Sequence, residues 1–318
     1  MSKSRVKKNT FMRMLVFFTA LVLIAASVSL LLTLKPYYGG EELPSADRTP
    51  SSAGSKAETV LIAVVDDNDD GIPFASAVLL ANADTETGKV SILQLPGNTY
   101  VGDKTKYGML GGAYNWGYGE NGTDGVTALA GLVCDMFAVP VDHYVVLDGD
   151  GVRKFCSSIG EFSIQLDEEL TLNESTTLGP GIVEISADEA EAYLLNRSGE
   201  YDGDALMTVQ EAIETRMAEC FLGMDVKEML SFSSDLSSGM ECDYSVIELL
   251  SLFRRAQKAD SSDIIFISAP GETVSGYGKY GLTFWSLDRI RTAETVNTCL
   301  RAHMNGVLLE NMDIPEAD

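Results

Sequence analysis

An unbroken apolar run of about 20 residues, MLVFFTALVLIAASVSLLLTL from Met14 to Leu34, divides the chain, because a helix rising about 1.5 Å per residue needs that length to cross roughly 30 Å of hydrocarbon. Lys3, Arg5, Lys7, Lys8 and Arg13 precede the run and only Lys35 follows it. The positive-inside rule therefore keeps residues 1–13 in the cytoplasm and sends the remainder outside. A cleaved signal peptide has an apolar region of about 7–15 residues with a small-x-small site behind it. Here the run is longer and KPYY follows, which favours an uncleaved signal anchor. The expectation is a single-pass protein of the cell membrane, with residues 14–34 as its transmembrane helix. Within residues 35–58, the stretch Gly39 to Glu58 is rich in Gly, Pro, Ser and charge and lacks apolar periodicity, so it reads as a flexible stalk.

From Thr59 the pattern changes. Short β-branched runs, VLIAVV, AVLLANA, VSILQL, HYVVL and DIIFISA, alternate with helical segments such as Gly125 to Phe137 and Ala187 to Leu195. Such interleaving predicts an α/β or α+β layered fold around one sheet. Leu206, Val209, Ile213, Met217 and Cys220 recur every three or four residues, so another helix is expected over 206–222. No repeat or second boundary interrupts residues 59–302, which read as one extracytoplasmic domain followed by a C-terminal tail, 303–318. The Ser-rich stretch Ser231 to Ser238 reads as an internal loop.

Charge narrows the function classes. The formal net charge is −24, yet residues 1–35 hold six Lys or Arg and no acid, which leaves 17 cations against 47 acidic groups, a formal −30, in the remainder. A surface of that sign repels nucleic acid unless cations screen it, so nucleic acid is not an expected partner. Cys134, Cys156, Cys220, Cys242 and Cys299 are far apart with no C-x-x-C pair, and His143 and His303 are isolated, which argues against zinc. Cys134 and Cys220 read as small core residues; an exported domain could still hold one disulfide, which sequence does not assign. No G-x-S-x-G elbow, P-loop or dinucleotide fingerprint occurs. The glycines between Gly102 and Gly119, with Tyr114, Trp116 and Tyr118, read as a flexible aromatic loop rather than a phosphate cradle.

The run KVSILQLPGNTYV, Lys89 to Val101, is a buried strand delivered to an uncharged turn. It resembles the strand and "PRDT" turn of the LytR-CpsA-Psr family of bacterial cell-envelope proteins. Other pieces are similar in the same order: TVLIAVVDDND from Thr59, FASAVLLANADTETGKVSILQLPGNTYV from Phe74, MLGGAYNWG from Met109, VDHYVVLDGDGVRKFCSSIG from Val141, LGPGIVEISADEAEAYLLNRSGEYDGD from Leu178, and DIIFISAPGE followed by GLTFWSLD, which resemble the family's last strand pair. The resemblance implies a domain with a central mixed sheet flanked by helices. It also implies transfer of a phospho-glycan from a polyprenyl pyrophosphate carrier to peptidoglycan or another envelope acceptor, with a divalent cation, usually magnesium. A pyrophosphate needs Arg forks and metal around it. By the resemblance, Asp67 and Arg197 are the catalytic candidates, and Gly97, Asn98, Tyr114, Leu195 and Asp204 mark the carrier-binding region. Yet Gly97 and Asn98 stand where the motif has arginine and aspartate, Met109 replaces a lysine, Leu195 replaces the first arginine of "R-x-R", Met207 and Gln210 replace two more, and Ser76 replaces an aspartate.

DDNDDG, Asp66 to Gly71, fits the first half of a calcium loop, but Ala77 falls where the bidentate Glu belongs. In the family this is the metal end of the site, so Asp66, Asp67, Asn68 and Asp70 are candidate ligands for Mg2+ or Ca2+, against the plainer reading of a solvated acidic turn. The apolar segments Val60 to Val65 and Val145 to Leu147 could line a prenyl groove, although apolar strands are core by default. Two functions follow. The chain is either a degenerate member, a pseudoenzyme that binds a polyprenyl-linked glycan, a wall component or a protein partner, or an active phosphotransferase drawing its cations from Arg197, Lys104, Lys106 or metal. Several lost charge-assisted contacts, each worth on the order of 10²-fold, favour the first. Millimolar Mg2+ or Ca2+ is expected to raise the Tm if the acidic turn holds an ion, because an ion bound only by the folded form stabilises it; an unchanged Tm removes the metal site.

Overall fold

Ten residues at the head of the domain, AETVLIAVVD, form β1 (Ala57–Asp66), and their side chains alternate between two cores. In chain order there follow β2 (Phe74–Asp84), β3 (Val90–Pro96), a short helix α1 (Ala113–Trp116), α2 (Gly125–Phe137), β4 (His143–Asp148), α3 (Gly149–Ile159), β5 (Phe162–Leu166), β6 (Leu170–Asn173), β7 (Thr176–Leu178) and β8 (Gly181–Ile185). The rest are α4 (Ala187–Leu194), α5 (Gly203–Gly223), β9 (Met240–Cys242), β10 (Ile264–Ser268), β11 (Gly271–Tyr277), β12 (Leu282–Leu287) and α6 (Arg289–Thr295). The structure is a computed structural model that describes residues 57–66, 72–84, 90–117, 125–195, 203–223, 239–244, 264–277, 281–301 and 306–316. Among the described residues no helix is long and apolar enough to cross a membrane. Met14 to Leu34, the stalk up to residue 56 and Ser231 to Ser238 lie outside them; Ala57 and Glu58, read as the end of the stalk, are the first residues of β1.

The six-stranded sheet runs β10-β3-β2-β1-β4-β9. β1 pairs antiparallel with β2 and parallel with β4, β2 is antiparallel to β3, and β10 is parallel to β3. The sheet is thus mixed and central, as the sequence leads one to expect. Strands covered on both faces read as continuous apolar runs, and the period of two explains how. Val60, Ile62 and Val64 pack with Phe155 of α3, Tyr193 of α4 and Val209 of α5. Leu61, Ala63 and Val65 pack with Leu129 and Phe137 of α2, Trp285 of β12 and Leu300. Val145 and Leu147 belong to the first core and Val146 to the second, so the two segments considered for a prenyl groove are packed interior.

Local chemistry fixes the helix starts. Asp148 accepts from Gly151 N at 2.8 Å and caps α3; Ser186 and Glu189 form a capping box on α4, and Asp288 caps α6. Side-chain caps of this kind are worth about 1 kcal/mol each. Two-stranded ribbons β5-β8 and β6-β7 flank the first core. DIIFISA supplies β10 of the main sheet, whereas GLTFWSLD supplies β12, which pairs with β11; the two runs belong to different sheets. Past residue 302, Met312 and Ile314 are buried in the second core, and Asn297 bonds Val307 through both its amide atoms at 2.8 Å. Folding therefore continues to residue 316. Cys134 is buried core, and Cys134, Cys156, Cys242 and Cys299 are free thiols. Burial first of all pushes Cys156 and Cys242 up to about 12, so neither is a thiolate at neutral pH.

One carboxyl in α5 breaks the pattern. Glu214 is 8% exposed, and among the described residues neither of its oxygens has a hydrogen-bond partner. Burial, and then the nearby Glu211 charge, raise its pKa to about 8. The native state therefore holds a proton that the unfolded chain releases near pH 4.5, and stability falls as pH rises from there through about 8. Glu214→Gln is expected to be more stable than the wild type at pH 9, by roughly 1–3 kcal/mol, with the gap closing at pH 4; denaturant melts across that range check it.

Candidate functional site

Of the residues singled out by sequence, Asp66, Ser76 and Gly97 meet where β1 ends, β2 begins and β3 turns. β2 carries a bulge here. Val64 pairs with Ala77 and Val65 with Ala75, so Ser76 is the extra residue. Ser76 O accepts from Gly97 N at 2.9 Å, and Gly97 O accepts from Gly111 N at 2.8 Å. A Cβ on Gly97 would sit 2.1 Å from Ala75 O and 2.8 Å from Ser76 O, and one on Gly111 would also sit 2.1 Å from Ala75 O. Two backbone turns therefore close onto the same carbonyl, and the space a side chain at residue 97 would occupy is filled by main chain. Asn98 anchors the turn to β12, accepting at its carbonyl from Trp285 N at 3.2 Å and donating from Nδ2 to Thr283 O at 3.4 Å.

The other substituted positions are neutral and occupied as well. Ser76 Oγ, with one proton to donate, lies 2.9 Å from Leu194 O and 3.1 Å from Val64 O. Gln210, 2% exposed, donates from Nε2 to Tyr193 O at 2.8 Å and accepts at Oε1 from Gln94 Nε2 at 3.3 Å. The last turn of a helix leaves carbonyls without internal partners; in α4 two of them are met by these uncharged donors. Met207 is buried in the second core, and Leu195, the C-cap of α4, packs against the first. Tyr114 packs against the second core.

Asp66 is buried at the end of β1, paired with Phe74, and Asp204 is the second residue of α5. Asp67, Asn68, Asp70 and Arg197 lie outside the described residues. Among the described residues no group of three or more His, Cys, Asp or Glu gathers to hold a metal. Lys104 is 2.7 Å from Asp313, and Lys106 lies over the Tyr107 and Trp116 rings. His143 sits 3.3 Å from Asp243 and stacks on Tyr244 with ring centroids 4.0 Å apart, a structural placement. A separate recess of about 700 Å³ lies between β5 and α5, lined by Ile164, Leu166, Glu168, Thr208 and Arg216 among others; none of the sequence-predicted site residues lines it. Sequence reasoning missed Gln94 and the bulge at Ser76. The available signal was a lone amide inside the apolar run VSILQLP.

The LytR_cpsA_psr family model matches residues 40–299. The chain belongs to the LytR_cpsA_psr family. Its fold is similar to that of Bacillus subtilis TagV, with a TM-score of 0.60 and 18% identity over 80% of this chain and all (100%) of that one. It is also similar to TagT bound to LIIa-WTA (0.58, 16% identity, 82% and 96% coverage) and to a Streptococcus agalactiae protein (0.58, 14%, 80% and 90%). No curated protein matches the chain in sequence. Around Gly97 the described residues form a set of backbone and neutral side-chain hydrogen bonds, with Asp66 buried at the end of β1. Because a Cβ at residue 97 meets backbone rather than a yielding side chain, Gly97→Arg is expected to lose about 3 kcal/mol or more, and Gly97→Ala to lose stability in the same direction. Thermal melting checks both, and a wild-type Tm in either variant would show that the turn can open.

Proposed function

We propose that this protein is a membrane-anchored, extracytoplasmic member of its family that no longer transfers phospho-glycans and instead works by binding a wall glycan. The observation that carries the reading is the filled space at Gly97. An arginine there has no room, and Ser76 and Gln210 are engaged in neutral hydrogen bonds to the end of α4. A transferring pyrophosphate develops charge that only cations or metal hold well in a water-poor site. The glycan part of the proposal leans on the family likeness, TagT being one related fold in complex with LIIa-WTA. The anchor leans on Met14 to Leu34 with its basic flank. If Mg2+ or Ca2+ is bound, Asp66, Asp67, Asn68 and Asp70 are the oxygen donors on offer, a ligand type that suits either ion.

Two assays on the full-length protein in detergent test the proposal. With a polyprenyl-pyrophosphate-linked glycan and Mg2+, release of polyprenyl phosphate is expected to fall at least about 10²-fold below that of a family member bearing the motif arginines. Turnover that Asp67→Ala abolishes would restore the phosphotransferase reading. In the second assay the protein is expected to cosediment with purified peptidoglycan sacculi.

A further inference from the structure

Beside the closed turn, the sequence Lys106-Tyr107 and the short helix α1 build a small aromatic corner. The Tyr107 and Trp116 rings meet edge to face, with centroids 4.5 Å apart and planes at 72°. Both side chains are partly exposed. Trp116 is held from behind. Its ring packs edgewise on Phe74, with centroids 6.5 Å apart, and Phe74, Met109 and Phe284 form a buried cluster beneath it. A Cβ on Gly112 would fall 2.6 and 2.7 Å from two indole carbons, so the missing side chain at Gly112 is what lets the indole lie against the backbone. Lys106 is exposed, with Nζ 5.1 Å from the Tyr107 centroid and 5.8 Å from that of Trp116.

A partly exposed indole fixed at this cost in packing options suits a ligand with an apolar face and a polar edge. Pyranose rings have that form: axial C–H bonds on one face, carrying slight positive charge, sit well on the electron-rich face of an aromatic ring. Their hydroxyl or acetamido oxygens can take hydrogen bonds from the Lys106 ammonium, which lies over the same two rings and, on an exposed side chain, can swing to their edge. Charge selects among sugars. The part of the chain beyond residue 35 carries a formal −30, which repels polyanions such as nucleic acid or phosphate-linked polymers. A prenyl chain needs an enclosed apolar tube rather than an open corner with a cation on it. Phe74, against which Trp116 packs, is also the β2 partner of Asp66, so the corner adjoins the family's active-site end.

We infer that Trp116 and Tyr107, with the exposed Lys106 beside them, form a stacking subsite for an uncharged pyranose unit of a glycan, such as an N-acetylated amino sugar. The inference rests on the glycan-binding reading and gives it a place on the surface. The chain has two tryptophans, and Trp285 is 1% exposed, so ligand-dependent emission reports on Trp116. With the full-length protein in detergent, chitotetraose is expected to shift that emission, and Trp116→Ala to weaken binding to sacculi about tenfold. Gly112→Ala keeps the indole and a permitted backbone (φ −67 at Gly112) but displaces the ring; it is expected to weaken binding to a similar degree, and Lys106→Met to a lesser one. Far-ultraviolet circular dichroism confirms that each variant is folded, and the Gly112 and Lys106 variants carry the test if Trp116→Ala is not. Sacculus binding that survives all three substitutions within twofold overturns the subsite and leaves the glycan reading intact. Failure of the wild type to bind sacculi or chitotetraose overturns both.

Discussion

The carbonyl of Ala75 is approached by two glycine turns at once, and the rest of the candidate site is arranged around that contact. Gly97 and Gly111 can come so near because neither has a side chain; a Cβ on either would stand 2.1 Å from the oxygen. The approach brings the end of β3 and the short segment before α1 into hydrogen bonding with each other, Gly111 N to Gly97 O. It also depends on the bulge at Ser76, which turns the Ser76 carbonyl toward Gly97 N. Bulges commonly re-aim groups at functional ends of sheets. Here the bulge helps to shut the end of the sheet.

Closure of this kind has to be complete to be stable. A buried carbonyl without a donor costs about 1–3 kcal/mol, and the end of α4 presents two such carbonyls to the interior. Ser76 meets Leu194 O, and Gln210 meets Tyr193 O while pairing with Gln94. An amide or hydroxyl can do this without a counter-ion, whereas a buried guanidinium needs an anion or several acceptors. Ser76, Gly97 and Gln210 thus belong to one hydrogen-bonded environment at the end of the sheet.

Much of the architecture could be read from the chain. β1 through β4 and β10 fall on the five apolar runs, α2 on Gly125–Phe137, and α5 on the three-or-four spacing from Leu206. These elements are set by period and length, which are local properties. The ribbons β5-β8 and β6-β7 were missed because their strands are only three to five residues long; FSIQL and LTLN do alternate apolar with polar, but over too few residues to stand out. Family likeness marked Gly97, Met207 and Gln210 as departures; it did not say that Gly97 lies under two carbonyls or that Gln210 has an amide partner 116 positions away in sequence. Those facts belong to tertiary contact and have no local signature. The aromatic corner was likewise visible only as a glycine-rich stretch with rings in it, and its order comes from Phe74 and Gly112.

The position of β1 in the sheet has a mechanical meaning. It is the first described strand, and it lies in the interior of the sheet, between β2 and β4. Tension arriving through the chain ahead of Ala57 is applied along a strand gripped on both edges, by an antiparallel ladder of ten residue pairs on one side and a parallel one of six on the other. Pulling in that direction loads those ladders in shear, many bonds together, rather than peeling them one at a time from an edge. Forced unfolding is governed by the rate of the opening step. A load carried along β1 has to break both ladders before the strand leaves the sheet.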